Sequence, residues 1–190
     1  NDDSYLGSFN FNASSIANKE EKFNFTLTDK AGETATLEAT ITTESASTAF
    51  GAEVTDAFFH IGGSLQGAYD LVNETVVASS GADTDKDMVN TDAAGITFTG
   101  SWMAGTGNGS MFVKDNSFDY AAGSVEDAIT AFDAGTASAS VDNPQNGDIY
   151  IVKLRGNLDY AIINITNVDP SNNDCNCGNT GKISFSFKKS

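Results

Sequence analysis

Apolar and polar residues alternate with a period of two along much of this chain, which is the pattern of half-buried β-strands. The alternation first occurs at residues 9–11 and returns over residues 23–28 and 34–43. The tetrapeptide Asp29-Lys30-Ala31-Gly32 separates the last two segments and has the composition of a turn. The pattern therefore predicts that residues 23–28 and 34–43 form a hairpin.

Further strand-like segments follow in the middle of the chain. One strand is predicted over residues 54–61, and a short hairpin is predicted to join residues 69–72 to residues 75–77. Beyond an aspartate-rich loop, additional strands are predicted around residues 96–98 and at residues 110–114.

Three β-branched and aromatic segments close the chain, at residues 149–154, 160–168 and 182–187. Gly156-Asn157 lies between the first two, and both residues tolerate the positive φ that a tight hairpin requires. The sequence therefore predicts a C-terminal three-stranded antiparallel meander.

One segment departs from the strand pattern. Ser124 and Asp127 have the spacing of a capping box, and Gly135 provides a stop signal. Between these signals the apolar residues recur at helical spacing, as Val125, Ala128, Ile129 and Phe132. We predict a helix of about three turns that covers a sheet. The fold class is therefore all-β, an antiparallel sandwich-like sheet with one short helix and the C-terminal meander.

The net charge of the chain limits the kinds of molecule that we expect it to bind. The chain has 190 residues, of which 39% are apolar, so we expect a single domain with a real core. Ten Lys and Arg residues face 26 Asp and Glu residues, which leaves a net charge of −16. Phosphate backbones and anionic membranes are repelled by this charge, so nucleic acid is not an expected partner.

The amino-acid composition also indicates where the protein is located relative to the cell. Ser, Thr, Asn, Gly and Ala are abundant and only 19% of residues are charged, which favours a secreted or cell-surface protein over an acidic cytosolic one. No apolar run approaches the ~20 residues of a membrane helix. The polar start Asn1-Asp2-Asp3-Ser4 is typical of the segment after a removed leader or a lipid-bearing cysteine. We expect an exported protein that is either extracellular or located at the outer-membrane surface, and the only membrane attachment that we consider for it is an N-terminal lipid anchor.

The C-terminal strands resemble the end of HmuY-like proteins, a family of exported, often lipid-anchored, all-β surface proteins of Gram-negative bacteria. The similarity comprises Val152-Lys153 before Gly156-Asn157, and the segment Gly-Lys-Ile-Ser-Phe-Ser-Phe at residues 181–187. The resemblance extends more weakly over the middle of the chain. It divides the single domain, residues 1–190, into N-terminal strands at 1–62 and a family-like part at 63–190.

The resemblance implies a non-catalytic binding protein that captures haem or another small ligand for an outer-membrane transporter. Two histidines hold haem in the best-known member, whereas this chain has only His60, whose favoured interpretation is a hydrogen-bonded structural residue. Relatives use methionine, so Met103 and Met111 are the candidate axial ligands. The alternative for both methionines is core packing. Trp102, the only tryptophan, is either an aromatic platform for the ligand or a core residue.

Asp83, Asp85 and Asp87 form a candidate calcium site. Their alternation matches the start of an EF-hand loop, but Met88 and Ala94 occupy the positions that require glycine and glutamate. An EF-hand is therefore excluded, and an irregular calcium site competes with a solvated acidic loop that protects a strand edge.

Cys175 and Cys177 are the only cysteines. They cannot complete a four-coordinate zinc site without further ligands. In an oxidising compartment we favour a disulfide between them over two free thiols.

No arrangement typical of an enzyme is present. The chain lacks a Gly-x-Ser-x-Gly elbow and has one histidine, so neither a serine nor a cysteine nucleophile is indicated. Glycosidase chemistry needs only two carboxylates and stays open on sequence grounds.

The leading hypothesis is a non-catalytic surface protein that binds a small hydrophobic or planar ligand. The alternative is a structural or accessory surface lipoprotein that contacts a partner protein or a glycan.

Overall fold

A computed structural model describes residues 19–43, 47–63, 65–93, 97–171 and 181–190. The chain divides into two compact units, residues 1–47 and residues 48–190. The predicted strand at residues 9–11 lies outside the described residues.

The first unit contains a two-stranded antiparallel sheet. Strand β1 (Glu20–Thr28) pairs with strand β2 (Thr34–Thr42) in continuous register from Glu20 opposite Thr42 to Thr28 opposite Thr34. The turn is held by Asp29, whose Oδ1 accepts hydrogen bonds from the amides of Ala31 and Glu33, both at 2.8 Å. Gly32 adopts a φ of 86° in this turn. The predicted hairpin is confirmed.

The second unit is a sandwich of two five-stranded sheets. The first sheet has the order β3, β12, β11, β10, β8, and the second has the order β5, β4, β6, β7, β9. The strands of the first sheet are β3 (Val54–Phe59), β8 (Met111–Lys114), β10 (Ile149–Lys153), β11 (Tyr160–Asp169) and β12 (Lys182–Lys189). The strands of the second sheet are β4 (Ala68–Asp70), β5 (Thr75–Val77), β6 (Met88–Asn90), β7 (Trp102–Met103) and β9 (Ser140–Val141).

All strand pairs in both sheets are antiparallel, and β10, β11 and β12 form the predicted C-terminal meander. The register of β11 against β12 shifts between Ile165 and Asn167, as at a β-bulge. The all-β, sandwich-like fold class is therefore confirmed.

The main core lies between the two sheets. Trp102 is at its centre, with edge-to-face ring contacts to Phe58, Phe112 and Tyr150 at centroid distances of 6.3, 5.8 and 5.2 Å. The alternation of each long strand directs one set of side chains into this layer. In β11, for example, Ile163 and Ile165 face the main core while Ile162 faces the other side.

A second, smaller core lies on the outer face of the first sheet. Helix α1 (Val125–Ala134) covers it and buries Ala128 and Phe132. The capping box is present, because the Ser124 hydroxyl accepts from the Asp127 amide at 3.1 Å and the Asp127 carboxylate accepts from the Ser124 amide at 2.9 Å. The predicted helix is confirmed. Among the described residues, no helix has the length and apolarity needed to cross a membrane.

Three short strands were not predicted. Strands β6, β7 and β9 contain three, two and two residues, so none is long enough to show a period of two. The strand predicted around residues 96–98 is wrong where it can be judged, because Thr97 and Phe98 are in irregular structure. Residue 96 lies outside the described residues. Phe98 is nevertheless buried in the main core, which explains its strand-like apolar signal.

The turn between β10 and β11 differs from the prediction by one residue. The left-handed pair is Arg155 (φ 50°) and Gly156 (φ 69°), rather than Gly156 and Asn157. The Asn157 amide donates to the carbonyl of Leu154 at 2.9 Å and closes the turn. Contacts of the Arg155 side chain, described below, favour this conformation for a residue that rarely adopts it.

Candidate binding sites

The sheet of β1 and β2 carries an open groove with a volume of about 540 Å³. Alternation places Phe25 and Leu27 of β1 on one face, opposite Leu37 and Ala35 of β2. Leu27 is 70% exposed and Leu37 is 67% exposed. The groove, called the hairpin groove below, is lined by Asn24, Phe25, Thr26, Leu27, Ala35, Thr36 and Leu37. A contiguous apolar patch on an exposed sheet face is typical of a contact surface.

The chemistry of the hairpin groove is that of an apolar contact. Residues 1–47 contain no histidine, methionine or cysteine, which are common protein ligands of haem iron. A ligand in this groove would therefore be held by burial of apolar surface rather than by coordination through those side chains. The groove volume is in the range of ligand sites in proteins, about 300–1,000 Å³.

Trp102 is a core residue in this structure. Its side chain has no exposed surface and is surrounded by the aromatic rings of the main core. The described part of the chain provides no hydrogen-bond acceptor for its Nε1 atom. Trp102 therefore does not form an open aromatic platform in this structure.

Met103 and Met111 are not brought together. Each directly adjoins an inward-facing residue on its strand, Trp102 in β7 and Phe112 in β8. Because side chains alternate along a strand, the methionines face away from the main core on opposite sides of the sandwich. Met103 is 42% exposed, whereas Met111 packs in the second core near the helix. The geometry does not support one iron held between these two side chains.

The three aspartates of the candidate calcium site also diverge. Asp83 and Asp85 lie in a single 3-10 turn, and the Asp83 carboxylate pairs with the Lys86 ammonium at 2.6 Å. This hydrogen bond and the Lys86 charge lower the pKa of Asp83. Asp87 is completely buried and points into a different network. Among the described residues, no group of three acidic, histidine or cysteine side chains is placed to hold a metal ion. An irregular calcium site in this loop therefore stays a prediction.

Sequence reasoning missed the network around Arg155. From the β10–β11 turn of the first sheet, Nη2 of Arg155 donates to Asp70 at 2.6 Å and to Asp87 at 3.0 Å. Nε of Arg155 donates to the other oxygen of Asp87 at 3.1 Å, where the Ser110 hydroxyl also donates at 2.7 Å. The Leu71 amide donates to Asp87 at 2.9 Å. Arg155 thus connects the first sheet to the second by charge-assisted hydrogen bonds.

One signal for this network was present in the sequence. Arg155 is the only arginine among ten basic residues, and it occupies a turn in which glycine and asparagine would be the usual choice. The guanidinium of an arginine in that place is suited to a bidentate contact with a carboxylate. Its partners lie 68 and 85 positions away in the sequence, so no local pattern identifies them.

The remaining candidate residues have structural surroundings or lie outside the described residues. His60 is buried, accepts a hydrogen bond at Nδ1 from the Gly62 amide at 2.9 Å, and packs beside Phe98. These contacts agree with its interpretation as a structural residue. Cys175 and Cys177 lie outside the described residues, so their disulfide stays a prediction.

Comparisons with known proteins do not assign this chain to a family. No protein-family description, no curated protein and no solved structure matches this chain. The sites described above are therefore the basis for any proposal of function.

Proposed function

We propose that this chain is a non-catalytic binding protein of the cell surface that captures a small hydrophobic or planar molecule in the hairpin groove. The observation that carries the proposal is the exposure of Leu27 and Leu37 on one face of a two-stranded sheet, in a groove of about 540 Å³. Haem is the first ligand to test, because the C-terminal strands resemble HmuY-like proteins.

The groove favours recognition by shape and apolar area. Burial of leucine surface is worth about 25 cal/mol per Å², so a flat ring that covers both leucines gains several kcal/mol before the entropy of association is subtracted. This mode of binding predicts that the iron atom of haem is dispensable.

The composition supports a location outside the cell. Few residues are charged, and small hydroxyl and amide side chains are frequent throughout the chain. The net charge of −16 disfavours direct adsorption on anionic lipid, so a lipid anchor is the proposed means of attachment. A ligand captured there would be passed to a transporter of the outer membrane.

The proposal is tested by titrating the protein with haem and, separately, with iron-free protoporphyrin IX. Both are expected to bind with dissociation constants within about tenfold of each other, because apolar contact does not need the metal. Replacement of Leu27 and Leu37 together by asparagine is expected to weaken both at least about tenfold, which corresponds to about 1.4 kcal/mol of lost contact.

Two matched variants control this experiment. Thr28→Asn with Thr34→Asn changes the neighbouring cross-strand pair on the other face of the hairpin, and binding should be unchanged. Met103→Ala with Met111→Ala removes the candidate axial ligands, and binding should also be unchanged. Binding of haem but not of protoporphyrin IX, with loss in the methionine variant, would contradict the proposal and favour iron ligation. Absence of binding by both porphyrins would favour an accessory role that involves a partner protein.

A further inference from the structure

A second groove lies in the unit formed by residues 48–190, beside the loop that connects β9 to β10. Its volume is about 440 Å³. Its apolar floor includes Phe98 and Val168, and its rim carries three exposed side-chain amides, those of Asn143, Gln145 and Asn146. This groove is called the amide groove below.

The described residues that line the amide groove carry no charge. The whole chain, in contrast, carries 36 charged side chains, 10 basic and 26 acidic. An ion would find no countercharge among these lining residues, and burial of an unpaired charge is strongly unfavourable. A ligand that fits this surface is therefore neutral and polar.

The rim amides keep unused hydrogen-bonding groups. Nε2 of Gln145 donates to the carbonyls of Asn143 and Pro144 at 2.9 and 3.1 Å, which leaves its Oε1 atom as an acceptor. Oδ1 of Asn146 accepts from the Val168 amide at 2.8 Å, which leaves its Nδ2 atom as a donor. Within the described chain, the side chain of Asn143 has no hydrogen-bond partner. The rim thus offers both donors and acceptors, the combination that hydroxyl groups require.

Hydrogen bonds within the protein hold the backbone of the rim before any ligand binds. The Asn143 amide donates to the Ser101 hydroxyl at 2.9 Å, and the Gln145 amide donates to the buried Asp148 carboxylate at 2.8 Å. Asn143 has a φ of 48°, a left-handed conformation that asparagine tolerates better than most residues. A loop held in this way loses little conformational entropy when a ligand binds.

Thr99, another residue that lines the groove, is held by hydrogen bonds to Asp92. The Asp92 carboxylate accepts from the Thr99 hydroxyl at 2.6 Å and from the amides of Thr99 and Gly100 at 3.0 and 3.1 Å. Burial opposes ionisation of Asp92, but the hydrogen bonds from Thr99, Asn90 and Gly100 outweigh it and lower its pKa. Asp92 is therefore ionised at neutral pH and keeps accepting these hydrogen bonds.

We propose that the amide groove binds a neutral oligosaccharide, whose hydroxyl groups contact the rim amides while its C–H surface lies on the apolar floor. This site is separate from the hairpin groove and does not depend on the function proposed for it. The net charge of −16 adds selectivity, because a uronic-acid chain of the same length is repelled.

The test is a titration with short neutral glucan, mannan and chitin oligosaccharides, with oligogalacturonate as the acidic counterpart, followed by amide chemical shifts. At least one neutral oligosaccharide is expected to shift the amides of residues 143–146 saturably, and oligogalacturonate is expected not to do so. The double variant Asn143→Gly with Gln145→Ala is expected to weaken binding about tenfold, because two hydrogen-bonding side chains are lost. Glycine is chosen at position 143 because it accepts the positive φ and keeps the backbone amide.

Asn157→Gly is the matched control, because it removes an exposed amide from the β10–β11 turn, away from the groove lining. Its affinity for the oligosaccharide should equal that of the unchanged protein. The proposal is overturned if no neutral oligosaccharide shifts residues 143–146, if oligogalacturonate binds equally well, or if the control weakens binding as much as the double variant does.

Discussion

The side chain of Arg155 crosses from one sheet of the sandwich to two buried carboxylates of the other. Asp87 has no exposed surface and Asp70 is 2% exposed, so neither carboxylate can be rehydrated without local opening. Truncation of a buried pair is strongly destabilising because it leaves an uncompensated charge behind. This single residue is therefore expected to contribute more to stability than the exposed ion pairs do.

We predict that Arg155→Ala lowers the free energy of unfolding of the second unit by about 3–5 kcal/mol. The measurement is urea unfolding followed by the fluorescence of Trp102, which is the only tryptophan and lies in the main core of that unit. Lys153→Ala is the control, since it removes a positive charge two residues away where no described residue forms an ion pair with it. A loss of less than 1 kcal/mol in Arg155→Ala, or an equal loss in the control, would show that the network is not required.

At the scale of single elements, the helix and the hairpin depend on local signals that are visible in the sequence. The Ser124 capping box, the stop at Gly135 and the Asp29 turn each lie within a few residues of the element that they define. These elements could be predicted for that reason. Strands β7 and β9 have two residues each, which is too short for a period of two to be visible in the sequence, and within the described part of the chain they pair only with each other and with the three-residue strand β6.

We predict that Ser124→Ala lowers the free energy of unfolding by about 1 kcal/mol, because the first turn of α1 loses its side-chain acceptor. Ser124→Thr keeps the hydroxyl and should lose only a small part of that stability. The Trp102-monitored urea transition measures both variants. Equal stability of Ser124→Ala and the unchanged protein would mean that packing of Phe132, rather than the cap, holds the helix.

At the scale of the whole molecule, buried carboxylates couple stability to pH. Asp148 is buried, which opposes its ionisation, but hydrogen bonds from Lys114, the Gln145 amide and Asn116 prevail and lower its pKa below 3.8. Asp92 is shifted in the same direction by its own hydrogen bonds, against its burial. A carboxyl group whose pKa is lowered on folding stabilises the protein above its unfolded pKa, and this contribution is lost as the pH falls through the folded pKa.

We therefore predict that stability falls below about pH 4, and that Asp148→Asn reduces both the stability at pH 7 and its dependence on pH. Urea transitions measured at intervals between neutral pH and pH 2 would show this difference. Asp133→Asn, an exposed change of the same charge on α1, should leave the profile unaltered. If the stability of Asp148→Asn changed with pH in parallel with that of the unchanged protein, Asp148 would not be a source of the pH dependence.

The candidate sites were harder to predict than the fold. Trp102 and Met111 are attractive by residue type, yet the alternation of β7 and β8 directs Trp102 into one core and Met111 into another. Asp87 has the spacing of a metal ligand, but its carboxylate is occupied by Arg155 across the sandwich. The packing of Trp102 and Met111 and the contact between Asp87 and Arg155 both depend on residues that are far apart in the sequence. A single sequence does not show which distant residues meet.

The proposed binding of a planar apolar molecule to the hairpin depends on Leu27 and Leu37. The most direct test is to titrate the protein with protoporphyrin IX and to follow the amide chemical shifts of the whole chain. We expect saturable shifts concentrated in β1 and β2, which disappear in the variant with Leu27→Asn and Leu37→Asn. Shifts centred instead on residues 102–111, with the amides of the hairpin unchanged, would contradict the proposal.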